Sequence, residues 1–335
     1  MKKFSGHMIF SFTVLLAFIT FISFYESKMD VPDPAKPSLA SGDSQVVIDT
    51  LKIPNDQFGE AVKYGRQLLL NTAYYIGPEG VNGKYLGNKM NCSSCHQEAG
   101  TKLYSFNLIA SHQNYPQYRA RENKVLTLAE RVNNCVMRPH NGKPLPLDGK
   151  EMVAILSYLK WINSFAPKEK SFKGLKNLEV KFPAIAASSG RGQNLYTANC
   201  LRCHGANGEG VMKTDNSSFL YPPLWGANSY QPGSSMHRII KQAQWVKANM
   251  PYDKATWNKP VLTDEEALDI AAFINDDNIH KRPGAKNLDY PNPAKKAIDY
   301  AEGPFVDSFS TVQHKVGPFE PVISYWKSKG WEPVY

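Results

Sequence analysis

A mainly α-helical chain that writes one structural unit twice is predicted by three features. The pentads CSSCH (Cys92–His96) and CLRCH (Cys200–His204) stand one in each half of the sequence. A glycine-containing helical stretch precedes each pentad. A second amphipathic stretch closes each half, after a loop. With 335 residues the chain has room for two domains plus extensions. Its 42% hydrophobic and 21% charged residues are those of an ordinary globular protein. The net charge of +9 suits an acidic protein, an anionic lipid surface or a small anion. No nucleic-acid motif and no basic run interleaved with aromatics occurs, so no nucleic-acid partner is predicted.

The elements follow in order. Lys2 and Lys3 precede the apolar run MIFSFTVLLAFITFISFY, residues 8–25. This pattern is an export signal, at the lower length limit of a membrane span. No small-x-small cleavage site follows and no cysteine is present for lipid attachment. Residues 1–29 therefore read as a signal peptide or an inner-membrane anchor, with the body in the periplasm. Residues 30–57, opening DVPDPAKPSLASGDSQ, read as a tether.

In C-x-x-C-H, two thiols add across the two vinyl groups of one porphyrin and the histidine lies under the iron. Zinc and thiol-redox sites also use C-x-x-C, but the trailing histidine in both copies behind an export signal selects haem. The expected cofactors are two covalently bound haem c, on Cys92, Cys95 and His96 and on Cys200, Cys203 and His204. GQNLYTANCLRCHG spaces Gly192, Tyr196 and Cys200 four residues apart, on one helix face. It resembles the N-terminal helix of class I cytochromes c, and VKYGRQLLLN (62–71) is its counterpart. TAYYIGPEGVNGKYLGNKMN (72–91) is a loop inserted before the first pentad. DGKEMVAILSYLKWI and TDEEALDIAAFI are the closing helices. Asp148/Glu151 and Thr263/Glu266 have capping-box spacing. Met152, Ile155, Leu156 and Leu159 form one apolar stripe; Leu268, Ala271, Ala272 and Phe273 form the other.

The architecture resembles two tandem class I cytochrome c domains, 58–166 and 187–281. Residues 167–186 link them, and an irregular C-terminal extension, 282–335, wraps them without forming a third domain.

One axial position remains on each iron, and its ligand sets potential and access. For the second haem Met250, followed by Pro251, is favoured over Met236, His237 and Lys247; core packing is its plainer role. For the first haem Cys135, just ahead of the closing helix, competes with Met137. Burial as a small hydrophobe would also account for Cys135. An unpaired thiol in an oxidising compartment favours a chemical reason to keep it.

The segment YPQYRARENKVLTLAERVNNCVMRPHNGKPLPLDGKEMVAILSYLKWI (115–162) and the tail segment GPFVDSFSTVQHKVGPFEP resemble the dihaem thiosulfate dehydrogenases. The likeness runs from about residue 58 to 325. It implies a catalytic haem with His/Cys ligation and a second haem that passes electrons to a soluble or membrane cytochrome. The implied reaction joins two thiosulfates into tetrathionate with release of two electrons, or runs in reverse. By position, Cys135 matches the family's axial cysteine, and Arg121 and Arg131 match substrate-pocket arginines. His96 and His204 match the proximal ligands, and Met250 the second haem's methionine. Many members carry a serine where this chain has Pro139, which removes one substrate contact and leaves His140 as its replacement. Asn249 stands where some members have a lysine that competes for the second iron, so no ligand switch is expected.

Thiosulfate and tetrathionate are dianions, and arginine forks suit their sulfonate oxygens. The competing role of such arginines is to bind haem propionates; for Arg119 and Arg138 the sequence does not choose. The alternative function is a dihaem electron carrier without a small-molecule substrate.

Overall fold

The computed structural model describes residues 46–167, 172–284 and 289–335. The apolar run at 8–25 and the first part of the tether lie outside the described residues. Among the described residues, no helix is long and apolar enough to cross a membrane.

The first half is built on helices α1 (Gln57–Leu70), α2 (Leu128–Met137) and α3 (Lys150–Asn163). The second half uses α4 (Ser189–Asn199), α5 (Ile239–Asn249) and α6 (Asp264–Ile274). Two short hairpins complete the halves: β1 (Gln117–Arg119) with β2 (Lys124–Leu126), and β3 (Val211–Met212) with β4 (Phe219–Tyr221). The predicted repeat is visible in the helix crossings. Helix α1 meets α3 at Gly65, where a Cβ would fall 2.0 Å from the Ala154 carbonyl oxygen. Helix α4 meets α6 at Gly192, where a Cβ would fall 1.9 Å from the Asp269 carbonyl oxygen. Each half thus brings its first and last helices into backbone contact, a separation that only glycine permits. The predicted stripes are buried in these interfaces: Met152, Ile155 and Leu159 on α3; Leu268, Ala271, Ala272 and Phe273 on α6.

The predicted cap on α6 forms: Thr263 Oγ1 accepts from the Glu266 N–H, and Glu266 Oε2 accepts from the Thr263 N–H. The one expected on α3 does not. That helix starts one residue later, with Gly149 at its N-cap and no side-chain cap. Glu151 accepts instead from the Tyr64 hydroxyl at 3.0 Å, across the α1–α3 interface. An unforeseen capping box opens α2, the helix that carries Cys135: Thr127 and Glu130 bond each other's backbone N–H groups.

The C-terminal extension departs from the expected irregular chain. It contains α7 (Phe319–Ser328), whose Phe319, Val322, Ile323 and Trp326 share the apolar cluster of α5 and α6. Those positions follow helical i, i+3, i+4, i+7 spacing. Gly317, Pro318 and Pro321 masked the pattern in the sequence. Burying a side chain such as Phe319 contributes roughly 1.5–3 kcal/mol, so this helix is part of the second core. The inserted loop likewise opens with a helical turn, Thr72–Ile76.

The halves are tied together directly. Trp245 Nε1 on α5 donates to the Cys95 carbonyl at 3.0 Å, and Asn249 Nδ2 donates to the Tyr104 carbonyl at 3.0 Å.

Candidate functional site

The first pentad opens onto a cavity of about 770 Å³. Cys92, Cys95, His96 and Cys135 all line it, with Leu69, Ile76, Ile155 and Leu159 among the apolar wall. His96 Nδ1 donates to the Phe106 carbonyl at 2.6 Å. This fixes the ring and leaves Nε2 as the ligand atom. All five cysteines are free of disulfides. Two thiols at the wall, an oriented imidazole and an apolar cavity of this size fit a covalently attached haem. Residues 172–179, expected to be linker, also reach this wall through Leu175, Lys176, Asn177 and Glu179.

Cys135 differs electrostatically from the other four cysteines. Desolvation pushes Cys92 to about 11, and Cys95 and Cys200 to about 12; Cys203 is also raised, chiefly by burial. Burial acts on Cys135 in the same direction, but Arg131, His96 and Arg138 outweigh it, and the thiol stands at about 6. Arg131 Nη1 lies 3.4 Å from Cys135 Sγ, one helical turn away on α2. The His96 imidazole interacts with the same thiol. Cys135 is therefore an anionic donor at neutral pH, beside a fixed imidazole. Met137, its rival, is not part of the cavity wall, and its carbonyl accepts from Gln231 Nε2.

The second pentad repeats the proximal arrangement. His204 is buried and its Nδ1 donates to the Pro222 carbonyl at 2.8 Å. Met250 caps the C-terminus of α5 and packs, with Cys200, on the second apolar cluster. Its rivals are engaged elsewhere. His237 Nε2 pairs with Asp277 at 2.9 Å, Lys247 Nζ bonds Asp264 at 2.5 Å, and Met236 lines the first cavity. Asn249 donates to two backbone carbonyls.

The sequence comparisons agree with this geometry. The family described as "Cytochrome c" matches residues 189–276, and "SoxA/TsdA, cytochrome c domain" matches residues 83–164. The thiosulfate dehydrogenase of Thiomonas intermedia is 37% identical over 223 residues, which cover 67% of each chain. That of Stutzerimonas stutzeri is 33% identical over 248 residues, covering 74% of this chain and 76% of the relative. The chain belongs to the dihaem thiosulfate dehydrogenase family. The solved thiosulfate dehydrogenase (TsdBA) of Marichromatium purpuratum, in its "as isolated" form, superimposes with a TM-score of 0.63 at 30% identity. That match covers 72% of this chain and 51% of the solved one.

Within this thiosulfate dehydrogenase fold the cavity's arginines are not equivalent. Arg131 faces Cys135 and also donates to the Tyr115 hydroxyl oxygen. Arg121 is caged: Nη1 donates to the Gly233 carbonyl at 2.7 Å, and the rings of Tyr290 and Tyr300 each lie 5.5 Å from the guanidinium. Arg138 is held by Glu122 at 2.8 Å and Asp289 at 3.0 Å. Arg119 lines the cavity and, among the described residues, has no carboxylate partner. All four arginines thus line the cavity, Arg121 and Arg138 held in place by carboxylate, carbonyl and ring partners and Arg119 without a carboxylate to hold it. His140 is buried in the wall, its ring within 3.3 Å of Asn88 Oδ1, and burial lowers it to about 4. It is neutral at physiological pH, its Nδ1–H donates to Asn88 Oδ1, and Nε2 is left as an uncharged acceptor.

Sequence reasoning missed Tyr115, Lys241, Asp289, Tyr290 and Tyr300. Lys241 had no motif around it. Asp289, Tyr290 and Tyr300 of the extension reach the cavity's arginines only through tertiary folding.

Proposed function

We propose that this protein is an exported dihaem oxidoreductase that joins two thiosulfates through a new sulfur–sulfur bond, giving tetrathionate and two electrons, or runs the same reaction in reverse. The observation that carries this reading is the Cys135 thiol, held at about 6 between Arg131 and His96 in a cavity lined by arginine and lysine. His96 with Cys135 and His204 with Met250 would each hold one haem c, which would supply one-electron redox chemistry for the two electrons released.

The chain's own residues do the rest. Arg131 and Arg119 bind and orient sulfonate oxygens, which lowers the cost of bringing two dianions together. Fixed guanidinium charge in a partly desolvated cavity stabilises charge better than water does, because it needs no reorganisation. Arg131 also keeps the Cys135 sulfur anionic. His140 stays neutral beside Pro139, and with its one N–H on Asn88 it braces the wall rather than donating to the anion. The apolar run at 8–25 supports a periplasmic location, with the run as anchor or cleaved signal.

Turnover of thiosulfate with an artificial electron acceptor tests the proposal. Activity should be present in the wild type and abolished in Cys135→Ala, along with the low-spin thiolate signals in the electron paramagnetic spectrum. Arg131→Ala should lower kcat/KM by about tenfold or more, a loss of roughly 1.4 kcal/mol of transition-state binding. A wild-type holoprotein that turns over neither thiosulfate nor tetrathionate would leave only an electron carrier.

A further inference from the structure

The C-terminal extension delivers a carboxylate to the back of the cavity. Asp289 Oδ1 accepts from Arg138 Nη2 at 3.0 Å, and Asp289 Oδ2 lies 3.6 Å from Arg121 Nε. The Tyr300 hydroxyl donates to the same Oδ2 at 2.7 Å. The neighbouring Tyr290 N–H donates to the Arg121 carbonyl at 2.8 Å, so backbone and side chain are both fixed. The Asp289 side chain is only 8% exposed. Glu122 completes the arrangement: it accepts from Arg138 and from Asn134 on α2, the helix of Cys135. Two carboxylates and two tyrosine rings thus hold two guanidiniums that line the cavity.

We infer that Asp289 is a positioning residue for the anion-binding wall: it aims Arg121 and Arg138 from outside the two cytochrome domains and makes the C-terminal extension part of the site. The inference rests on the reading of the cavity as a sulfur-oxyanion site.

Two physical effects oppose each other at this position. Asp289 is negative, and its charge alone would weaken the binding of a dianion. It also anchors long side chains that would otherwise have to be ordered anew each time an anion binds. A buried guanidinium that loses its carboxylate is left uncompensated and moves to find another partner. Here the geometry favours the second effect. Asp289 lies within ion-pairing distance of both arginines, is itself fixed by Tyr300, and is nearly closed to water, so it serves as a brace rather than as a screening charge. The sign of the effect is therefore diagnostic. A brace predicts that removing the charge weakens anion binding; a screen predicts that it tightens it.

The experiment uses holoprotein with both haems in place. Binding of sulfate, a dianion that does not react, is measured by titration calorimetry for the wild type, Asp289→Asn, Asp289→Glu and Tyr300→Phe. Thiosulfate kcat and KM are measured on the same proteins, with optical spectra, both haem potentials and the melting temperature. The expected result is sulfate binding weakened about tenfold in D289N, with a matching rise in KM and kcat within about twofold of wild type. D289E should recover most of the loss, and Y300F should lie between. Haem spectra and potentials should not move. Unchanged or tighter sulfate binding in D289N overturns the inference. So does a fall in kcat with shifted potentials or a lowered melting temperature, because that is the signature of a purely structural role. If wild-type protein binds sulfate but turns over no thiosulfate, the proposed reaction fails while the sulfate data still decide the role of Asp289.

Discussion

The two haem-binding halves share a scaffold and differ in what faces the open side of the iron. Each crosses its first and last helices at a glycine, and each ties the histidine Nδ1 to a backbone carbonyl. In the first half the facing residue is a thiol at about 6 with Arg131 against it, inside a cavity of about 770 Å³. In the second half the residue proposed for that place is Met250, which like Cys200 packs on an apolar cluster reinforced by the C-terminal helix α7. Reaction with an anion needs an accessible, positively charged space. Electron transfer needs only a rigid, low-dielectric mount. The scaffold can be duplicated while the function diverges, because the proximal side is built by local hydrogen bonds and the distal side by loops and distant segments.

The sharpest test of this contrast replaces each distal residue separately. The axial ligand is a strong lever on haem potential. Met250→Gly should shift the higher potential in a redox titration, on the order of 100 mV or more, and leave the lower one in place. Cys135→Met should raise the lower potential and leave the higher one. If Met250→Gly moves neither, the second iron is ligated elsewhere and the asymmetry drawn here is wrong.

The converse test asks whether the scaffold really is shared. Gly65→Ala and Gly192→Ala each force a methyl group into a backbone carbonyl, at 2.0 and 1.9 Å. The helices must separate, and overpacking of this kind costs about 1–3 kcal/mol, occasionally more. Both holoproteins should lose a similar amount of stability in denaturant titrations with unchanged slope. A large loss for one and none for the other would mean that the two crossings are not equivalent.

The symmetric parts were legible because covalent chemistry and helix packing leave fixed spacings. C-x-x-C-H fixes two thiols and one imidazole within five residues, and Gly192, Tyr196 and Cys200 repeat at helical spacing. The asymmetric parts were less so. Cys135 could be singled out because it was the odd cysteine ahead of a closing helix, but Arg121, Arg131 and Arg138 look alike in the sequence. Their different partners, Asp289 and Glu122 for Arg138 and the thiol for Arg131, depend on chain segments as much as 151 residues away. Helix α7 was hidden by Gly317, Pro318 and Pro321. Proline at those places disrupts a propensity reading, yet it is compatible with the first turn of a helix.

The smallest expected effect concerns Lys241, which lines the first cavity. Burial first, then the neighbouring Arg238, lower it to about 8, while Asp299 acts in the opposite direction. Its Nζ reaches Gln244 Oε1 at 3.5 Å, and Arg238 is taken by Asp299. The folded-state pKa lies below the ordinary lysine value. The cation is therefore fully present below about pH 7 and is lost as pH rises through 8. An anion that uses this charge binds well at neutral pH and less well in alkali. The KM for thiosulfate should be flat up to pH 7 and rise roughly threefold between pH 7 and 9, the scale of one partly screened charge. Lys241→Arg, which stays protonated over that range, should flatten the profile without changing kcat. A flat wild-type profile would mean that Lys241 is paired with a haem propionate, which would hold its proton. It would then belong to the cofactor-binding side of the cavity, leaving the arginines of the wall as the cations available to the substrate.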